Sequence, residues 1–174
     1  MDIENVAKTQ LDTRLAKAKP IKLGWTADET ERISSALNEL LANYQVHYQK
    51  LRNYHWNVKG SDFFDLHQEF ETLYTEANQN IDDIAERIRV FGHTPLSTYR
   101  DYLEHSAIKE TGSDLPSEVM AREVLSDFRI LLGYLVNVLS IASEQEDAGT
   151  EQILKGYIKR IEKHHWMLTA FLAK

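Results

Sequence analysis

Four residues with metal-binding side chains lie on one face of a predicted helix. His67 and Glu71 are four positions apart, and Asp82 and Glu86 repeat this spacing farther along the same helix. At about 100° per residue, the four side chains fall within an arc of about 100°. Imidazole nitrogen combined with carboxylate oxygen suits iron, manganese or zinc rather than copper(I). Each pair can therefore offer two ligands to one ion.

The two pairs cannot bind the same ion within one chain. Glu71 and Asp82 are 11 residues apart, which is about 16 Å along a helix that rises 1.5 Å per residue. Metal–ligand bonds are only about 2 Å long. Two copies of this helix, antiparallel about a two-fold axis, would bring the first pair of one subunit to the second pair of the other. The spacing therefore predicts a site shared between two subunits and generated twice by symmetry.

His55 is a fifth candidate ligand. It lies six residues before Ser61, the centre of a predicted hairpin turn, and His67 lies six residues after it. Residues equally far from the turn of an antiparallel helix pair lie at the same height. A single histidine at such a position is more often a hydrogen-bonded structural residue. The agreement of five residues in height and face favours a metal site instead.

The elements that position these residues are four long helices. Apolar residues that recur at spacings of three and four predict helices over residues 26–59, 62–90, 117–144 and 150–172. Thr26 and Glu29 form a capping box at the first helix start, and Thr150 is predicted to cap the fourth helix. The nearly continuous apolar run over 130–141 predicts that the third helix is the most buried.

Residues 96–114 form a long crossover between the second and third helices, in which 97–105 make a short helix. Two helices, a crossover and two further helices predict an all-α, ferritin-like four-helix bundle. This domain spans residues 26–174 and follows an N-terminal arm of residues 1–25.

Composition excludes several classes of function. The chain has 174 residues, no cysteine and a formal charge of −7, so a disulfide scaffold, a zinc ribbon and a thiol nucleophile are excluded. The arm over 1–25 carries +2, which leaves −9 on the body. We expect no signal peptide, no membrane span and a cytoplasmic location, with or without nucleoid association.

The sequence resembles the Dps family, the DNA-binding proteins from starved cells, also called mini-ferritins. The matching stretches are His55-Trp56-Asn57-Val58-Lys59-Gly60, Phe63, Leu66-His67, Phe70-Glu71, Ile81-Asp82-Asp83-Ile84-Ala85-Glu86-Arg87 and, more loosely, His165-Trp166-Met167. This resemblance implies a homo-oligomer, a hollow dodecamer, with a ferroxidase centre between two-fold-related subunits. The implied iron ligands are His55, His67 and Glu71 of one chain, with Asp82 and Glu86 of the other. The family position of Glu71 is more often Asp, so the reach of this ligand differs by one methylene.

The resemblance also implies the chemistry. Family members oxidise iron(II) to iron(III), preferably with hydrogen peroxide and otherwise with oxygen, and store ferric mineral in the cage. This protects the cell and its DNA from oxidative damage. Trp56 resembles a family tryptophan that intercepts radicals, although an interface aromatic is an equal alternative. Iron access is expected through acidic pores, for which the candidates are Glu144, Glu146, Asp147 and Glu151; a solvated acidic turn is the alternative.

DNA binding is expected to be weak or absent. DNA-binding members use Lys- and Arg-rich tails, whereas the arm here offers only +2 per chain and twelve chains at −7 would carry roughly −84. The alternative function is a structural, nucleoid DNA-binding cage with little ferroxidase activity. A classical ferritin site uses a Glu-x-x-His motif on each of two helices. This sequence has a single one, Glu162 to His165, and therefore indicates such a site only weakly.

Overall fold

The computed structural model describes residues 24–173 and contains five helices in that range. They are α1 (Ala27–Asn57), α2 (Phe63–Val90), α3 (Tyr99–His105), α4 (Ser117–Glu144) and α5 (Ala148–Leu172). α1 packs against α2, α4 and the short α3, and α4 packs against α5. The predicted all-α four-helix bundle with a helical crossover is confirmed. Most of the arm, residues 1–23, lies outside the described residues.

The start of α1 agrees with the predicted capping box. The Thr26 hydroxyl accepts from the Glu29 amide at 3.2 Å, and a Glu29 carboxylate oxygen accepts from the Thr26 amide at 2.8 Å. These contacts satisfy amides that the first turn of a helix leaves without partners. After α1, Gly60 makes the turn into α2 with φ of +105°, a left-handed conformation that favours glycine.

The buried side-chain amide of Asn43 is one of the ties between α1 and the crossover. The Asn43 side-chain oxygen accepts from the main-chain amides of Ala107 and Ile108, at 3.0 and 3.1 Å, and from the Ser106 hydroxyl at 3.2 Å. Its side-chain nitrogen donates to the Glu39 carbonyl at 2.9 Å. Asn43 therefore satisfies main-chain polar groups of residues 106–108, which follow α3 and are not helical.

α5 begins earlier than the sequence predicts. Asp147, rather than Thr150, stands at the N-cap, and its side chain accepts from the Thr150 amide at 3.2 Å. The same carboxylate accepts from the Arg87 guanidinium at 2.5 Å. The prediction that Thr150 caps this helix is wrong because a residue of α2 holds Asp147 at the cap position.

The prediction that the third long helix is the most buried is also wrong. Of the 31 residues of α1, 15 are buried, against 11 of the 28 residues of α4. Within residues 24–173 one face of α4 packs into the bundle, and Val136 on the opposite face is 56% exposed. An 18-residue window of α4 has a mean hydropathy of 1.6, with 39% of it buried inside the subunit, so its length and composition alone would allow it to cross a membrane. Core helices of soluble proteins can have the same length and composition, so these two properties do not identify α4 as a membrane-spanning helix.

Polar side chains link α2 to α5 along their length. His164 contacts carboxylate oxygens of Glu69 and Glu76 at 3.2 and 3.4 Å. The Arg160 guanidinium donates to the Asn80 side-chain oxygen at 3.0 Å and also lies 3.0 Å from Glu76. Glu69, and next to it Glu76, raise the pKa of His164 to about 9 by hydrogen bonding to its ring. His164 is therefore a structural cation at neutral pH.

Candidate iron site

His55 and His67 face each other across the hairpin between α1 and α2. The Nδ1 atom of His55 donates to the main-chain oxygen of His67 at 2.9 Å, and Nδ1 of His67 donates to the main-chain oxygen of His55 at 2.8 Å. The two imidazole rings are stacked, with centroids 3.8 Å apart and planes 21° apart. The prediction that these residues lie at the same height is confirmed by these contacts.

The local chain explains this reciprocal arrangement. His55 lies in the last turn of α1, where helix carbonyls lack an amide partner four residues onward. His67 supplies that missing donor. A carbonyl oxygen can only accept, so both Nδ1 atoms carry hydrogen. The hairpin therefore selects, for both imidazoles, the tautomer that binds metal through Nε2.

Two further aromatic rings flank the histidine pair. Phe63 stacks on His67 with a centroid distance of 5.0 Å and an interplanar angle of 24°. Tyr74 meets His55 edge-on, at 5.3 Å and 80°. Phe63 belongs to the apolar stripe and to the family signature, and it precedes His67 by four positions, a spacing at which helical side chains touch. The sequence gives no comparable signal for Tyr74.

The carboxylates of the predicted site lie on α2. Glu71, one turn after His67, is half-buried, whereas Asp82 and Glu86 are exposed. Within residues 24–173, no three His, Asp or Glu side chains of one chain converge to form a metal site. One chain thus brings together the two histidines at the hairpin, while Asp82 and Glu86 lie elsewhere along α2.

Trp56 lies next to the hairpin site and is 58% exposed. The Arg52 guanidinium stacks over its ring, 4.6 Å from the centroid, and also lies 5.4 Å from the centroid of Tyr48. Arg52 and Trp56 are four residues apart on α1, so this stack follows from helical geometry.

The predicted pore residues lie at the turn between α4 and α5 and have different environments. Glu144 pairs with Arg32 at 2.7 Å, Glu151 pairs with Lys155, and Glu146 is exposed. Asp147 differs because it is only 1% exposed. Its carboxylate holds Arg87 and the N-terminus of α5, so we correct the pore set by removing Asp147.

The chain is similar to bacterial proteins of one family. A family model described as a ferritin-like domain matches residues 34–174. The chain is 41% identical over 143 residues to general stress protein 20U of Bacillus subtilis, a match that covers 82% of this chain and 99% of that protein. It is 44% identical over 141 residues to the DNA protection during starvation protein of Brevibacillus brevis, covering 80% of this chain and 94% of that one.

Solved structures agree with these matches. The Dps protein from Vibrio cholerae O1, described as a member of a broad superfamily of ferritin-like diiron-carboxylate proteins, superposes with a TM-score of 0.86 at 37% identity. This match covers 90% of our chain and 99% of the other. A Dps protein from Bacillus brevis superposes with a TM-score of 0.82 at 40% identity, covering 86% of our chain and 100% of that one.

The helical fold and the paired histidines define a ferritin-like protein, and membership of this superfamily supports iron binding and ferroxidase-type chemistry. Within that class, the chain belongs to the Dps family. The resemblance drawn from the sequence is thereby confirmed.

Proposed function

We propose that this protein is a ferroxidase that oxidises iron(II) at sites shared between two subunits and stores the ferric product. The observation that carries the proposal is the reciprocal hydrogen bonding of His55 and His67, which leaves both Nε2 atoms available as ligands. Glu71 adds a carboxylate from the same chain, and Asp82 and Glu86 of the second subunit complete the site.

The stacking of the histidines supports a site for two ions. An imidazole nitrogen directs its lone pair in the plane of its ring, and two stacked planes only 21° apart cannot both contain one ion at a bonding distance of about 2 Å, so the pair suits two neighbouring ions better than one shared ion. The ring centroid separation of 3.8 Å matches the spacing of about 3.5–4 Å between ions in two-metal sites. Each iron would therefore have one imidazole ligand, with carboxylates around both.

This pairing suits hydrogen peroxide as the oxidant. Two ferrous ions supply the two electrons that convert one peroxide molecule to the oxidation level of water, so no hydroxyl radical is released. With two water molecules, the products are two ferric oxyhydroxide units and four protons. Anionic carboxylate ligands favour the higher charge of the ferric ion. Oxygen is proposed as a slower, second oxidant.

We further propose a dodecameric, cytoplasmic cage whose ferric mineral is held inside. Glu144, Glu146 and Glu151 are the proposed pore residues, and Trp56 is the proposed radical-intercepting residue. DNA binding is proposed to be weak or absent, because the net charge of −7 per chain repels phosphate. A gel shift that persists at physiological ionic strength would contradict this and favour the alternative, a structural nucleoid protein.

Mixed oligomers test the shared site directly. His55→Ala and Asp82→Ala subunits are each expected to form inactive oligomers. When the two are unfolded and refolded together, each mixed pair contains one site with both substitutions and one intact site. Random pairing would then restore about one quarter of the sites. Stopped-flow absorbance after mixing iron(II) and peroxide measures the recovery. A mixture as inactive as its parents would show that one chain supplies all the ligands.

A further inference from the structure

The ring of His67 stacks against Phe63 as well as against His55. Phe63 is the first residue of α2, and its ring lies at 24° to the His67 ring, with the centroids 5.0 Å apart. His55 is stacked on His67 at 3.8 Å, and because no ring contact joins Phe63 to His55 among the described residues, the two rings lie on opposite faces of His67. His67 therefore lies between two flat rings, and Phe63 forms the outer one.

A single hydrogen bond does not fix the plane of an imidazole ring. The bond from Nδ1 of His67 to the His55 carbonyl sets the position of one atom, about which the ring can still tilt. Contact with a ring on each face opposes this tilt, because tilting would open a gap on one side and a clash on the other. The direction of the Nε2 lone pair of His67 thus depends on Phe63.

We propose that Phe63 is a positioning residue that keeps the imidazole of His67 parallel to that of His55 and so sets the affinity of the second of two metal ions. The inference rests on the proposed function, since it takes the site to hold two ions with one histidine on each. Phe63 does not touch the metal and acts only through His67. The ion bound by His55 should depend on it much less, because Tyr74 contacts that ring.

The neighbouring residue offers a matched control. Phe64 is 82% exposed, and its ring meets Phe63 edge-on at 5.3 Å; it has no stacking contact with either histidine among the residues described. Phe64→Leu and Phe63→Leu remove the same atoms at adjacent positions. A second variant, Phe63→Tyr, keeps the ring and should restore the wild-type behaviour.

The experiment is calorimetric titration of the intact oligomer with cobalt(II), which is not oxidised under these conditions. Wild type should bind two ions per site, and His67→Ala should lose one of the two binding events. In Phe63→Leu, the affinity for the ion that His67→Ala fails to bind should fall by about threefold to tenfold, the equivalent of one aromatic stacking contact. The other event should stay within about twofold of wild type.

Iron oxidation provides a second readout. In Phe63→Leu the iron(II) concentration at half-maximal rate should rise by about the same factor, with the rate at saturating iron within about twofold of wild type. Thermal melting and size-exclusion chromatography show whether the variants fold and assemble, and Phe63→Met replaces Phe63→Leu if the latter does not.

The outcomes separate the two proposals. Equal weakening of both binding events, no weakening in Phe63→Leu, equal weakening in Phe64→Leu, or no recovery in Phe63→Tyr would each overturn the role of Phe63 while leaving the proposed ferroxidase intact. Wild type that binds no cobalt and oxidises no iron would overturn the proposed function, and the role of Phe63 with it.

Discussion

Nδ1 of His55 and Nδ1 of His67 each donate to the main-chain oxygen of the other residue, at 2.9 and 2.8 Å. The hairpin backbone thereby selects the tautomer of both proposed ligands, and no separate carboxylate is needed for this. Folding of the hairpin and selection of the tautomer are consequently one event. Replacing His67 removes a proposed ligand and also the donor to the last turn of α1.

The first prediction concerns this double role of His67. His67→Ala should bind one ion fewer per site and should lower the free energy of unfolding by about 1–3 kcal/mol, because the His55 carbonyl loses its donor and the ring stack is broken. Metal titration and urea unfolding measure the two effects. His105→Ala, at an exposed position of α3, should change neither. A variant that loses the metal at unchanged stability would show that the hydrogen bond contributes nothing to folding.

The second prediction concerns stability at alkaline pH. The pKa of His164 is raised to about 9 by Glu69 and Glu76, above its value of about 6.5 in an unfolded chain. Its contribution is therefore complete below about pH 6.5 and is lost as the pH rises through 9. Burial would raise the pKa of Glu76, but hydrogen bonds from His164 and Arg160 outweigh it and hold that pKa below its usual value.

The measurement compares wild type with His164→Gln by urea unfolding between pH 7 and pH 10. The difference in their free energies of unfolding should shrink by about 2 kcal/mol over this range. Other groups titrate equally in both proteins and cancel from the difference. A constant difference across the range would mean that His164 is not charged in the folded protein.

The third prediction concerns Arg87, which joins the end of α2 to the start of α5. Its guanidinium lies 2.5 Å from Asp147 and 2.8 Å from the Thr150 hydroxyl, and it covers the Phe91 ring at 4.7 Å. Arg87→Ala should cost about 3–5 kcal/mol, because it leaves the buried carboxylate of Asp147 without its cation.

Adding Asp147→Asn to Arg87→Ala should recover part of this loss, since the second change removes the unpaired charge. Denaturant unfolding of the single and double variants measures the recovery. The exposed pair of Arg122 with Glu118 on α4 is the comparison, and Arg122→Ala should cost less than about 1 kcal/mol. If Arg87→Ala and Arg122→Ala lower the free energy of unfolding equally, the buried pair contributes no more to stability than the exposed one.

The fourth prediction concerns the crossover. Asn43→Ala should destabilise the fold by about 2–4 kcal/mol, because the amides of Ala107 and Ile108 lose their acceptor. Hydrogen exchange at these two amides should accelerate more than elsewhere. Asn137→Ala, at an exposed position of α4, should leave stability and exchange unchanged. Uniform acceleration across all helices would mean that Asn43 stabilises the whole bundle rather than this segment.

The sequence by itself determined the four long helices, the crossover and the height at which His55 and His67 meet. These features depend on local rules: helical periodicity, the Thr26 capping box and the length of the hairpin turn. Local spacing also excluded a complete metal site within one α2 helix, because a fixed rise per residue separates Glu71 from Asp82. Such conclusions need no knowledge of what packs against each helix.

Only the tertiary structure decided which side chains meet across elements. Asp147, rather than Thr150, caps α5 because Arg87 from a distant helix pairs with it. An apolar face of α4 remains exposed because no element within residues 24–173 covers it. The rings of Phe63 and Tyr74 enclose the histidine pair for the same reason. Helical periodicity gives the face of a residue, but side-chain rotamers and the partner helix determine its contacts.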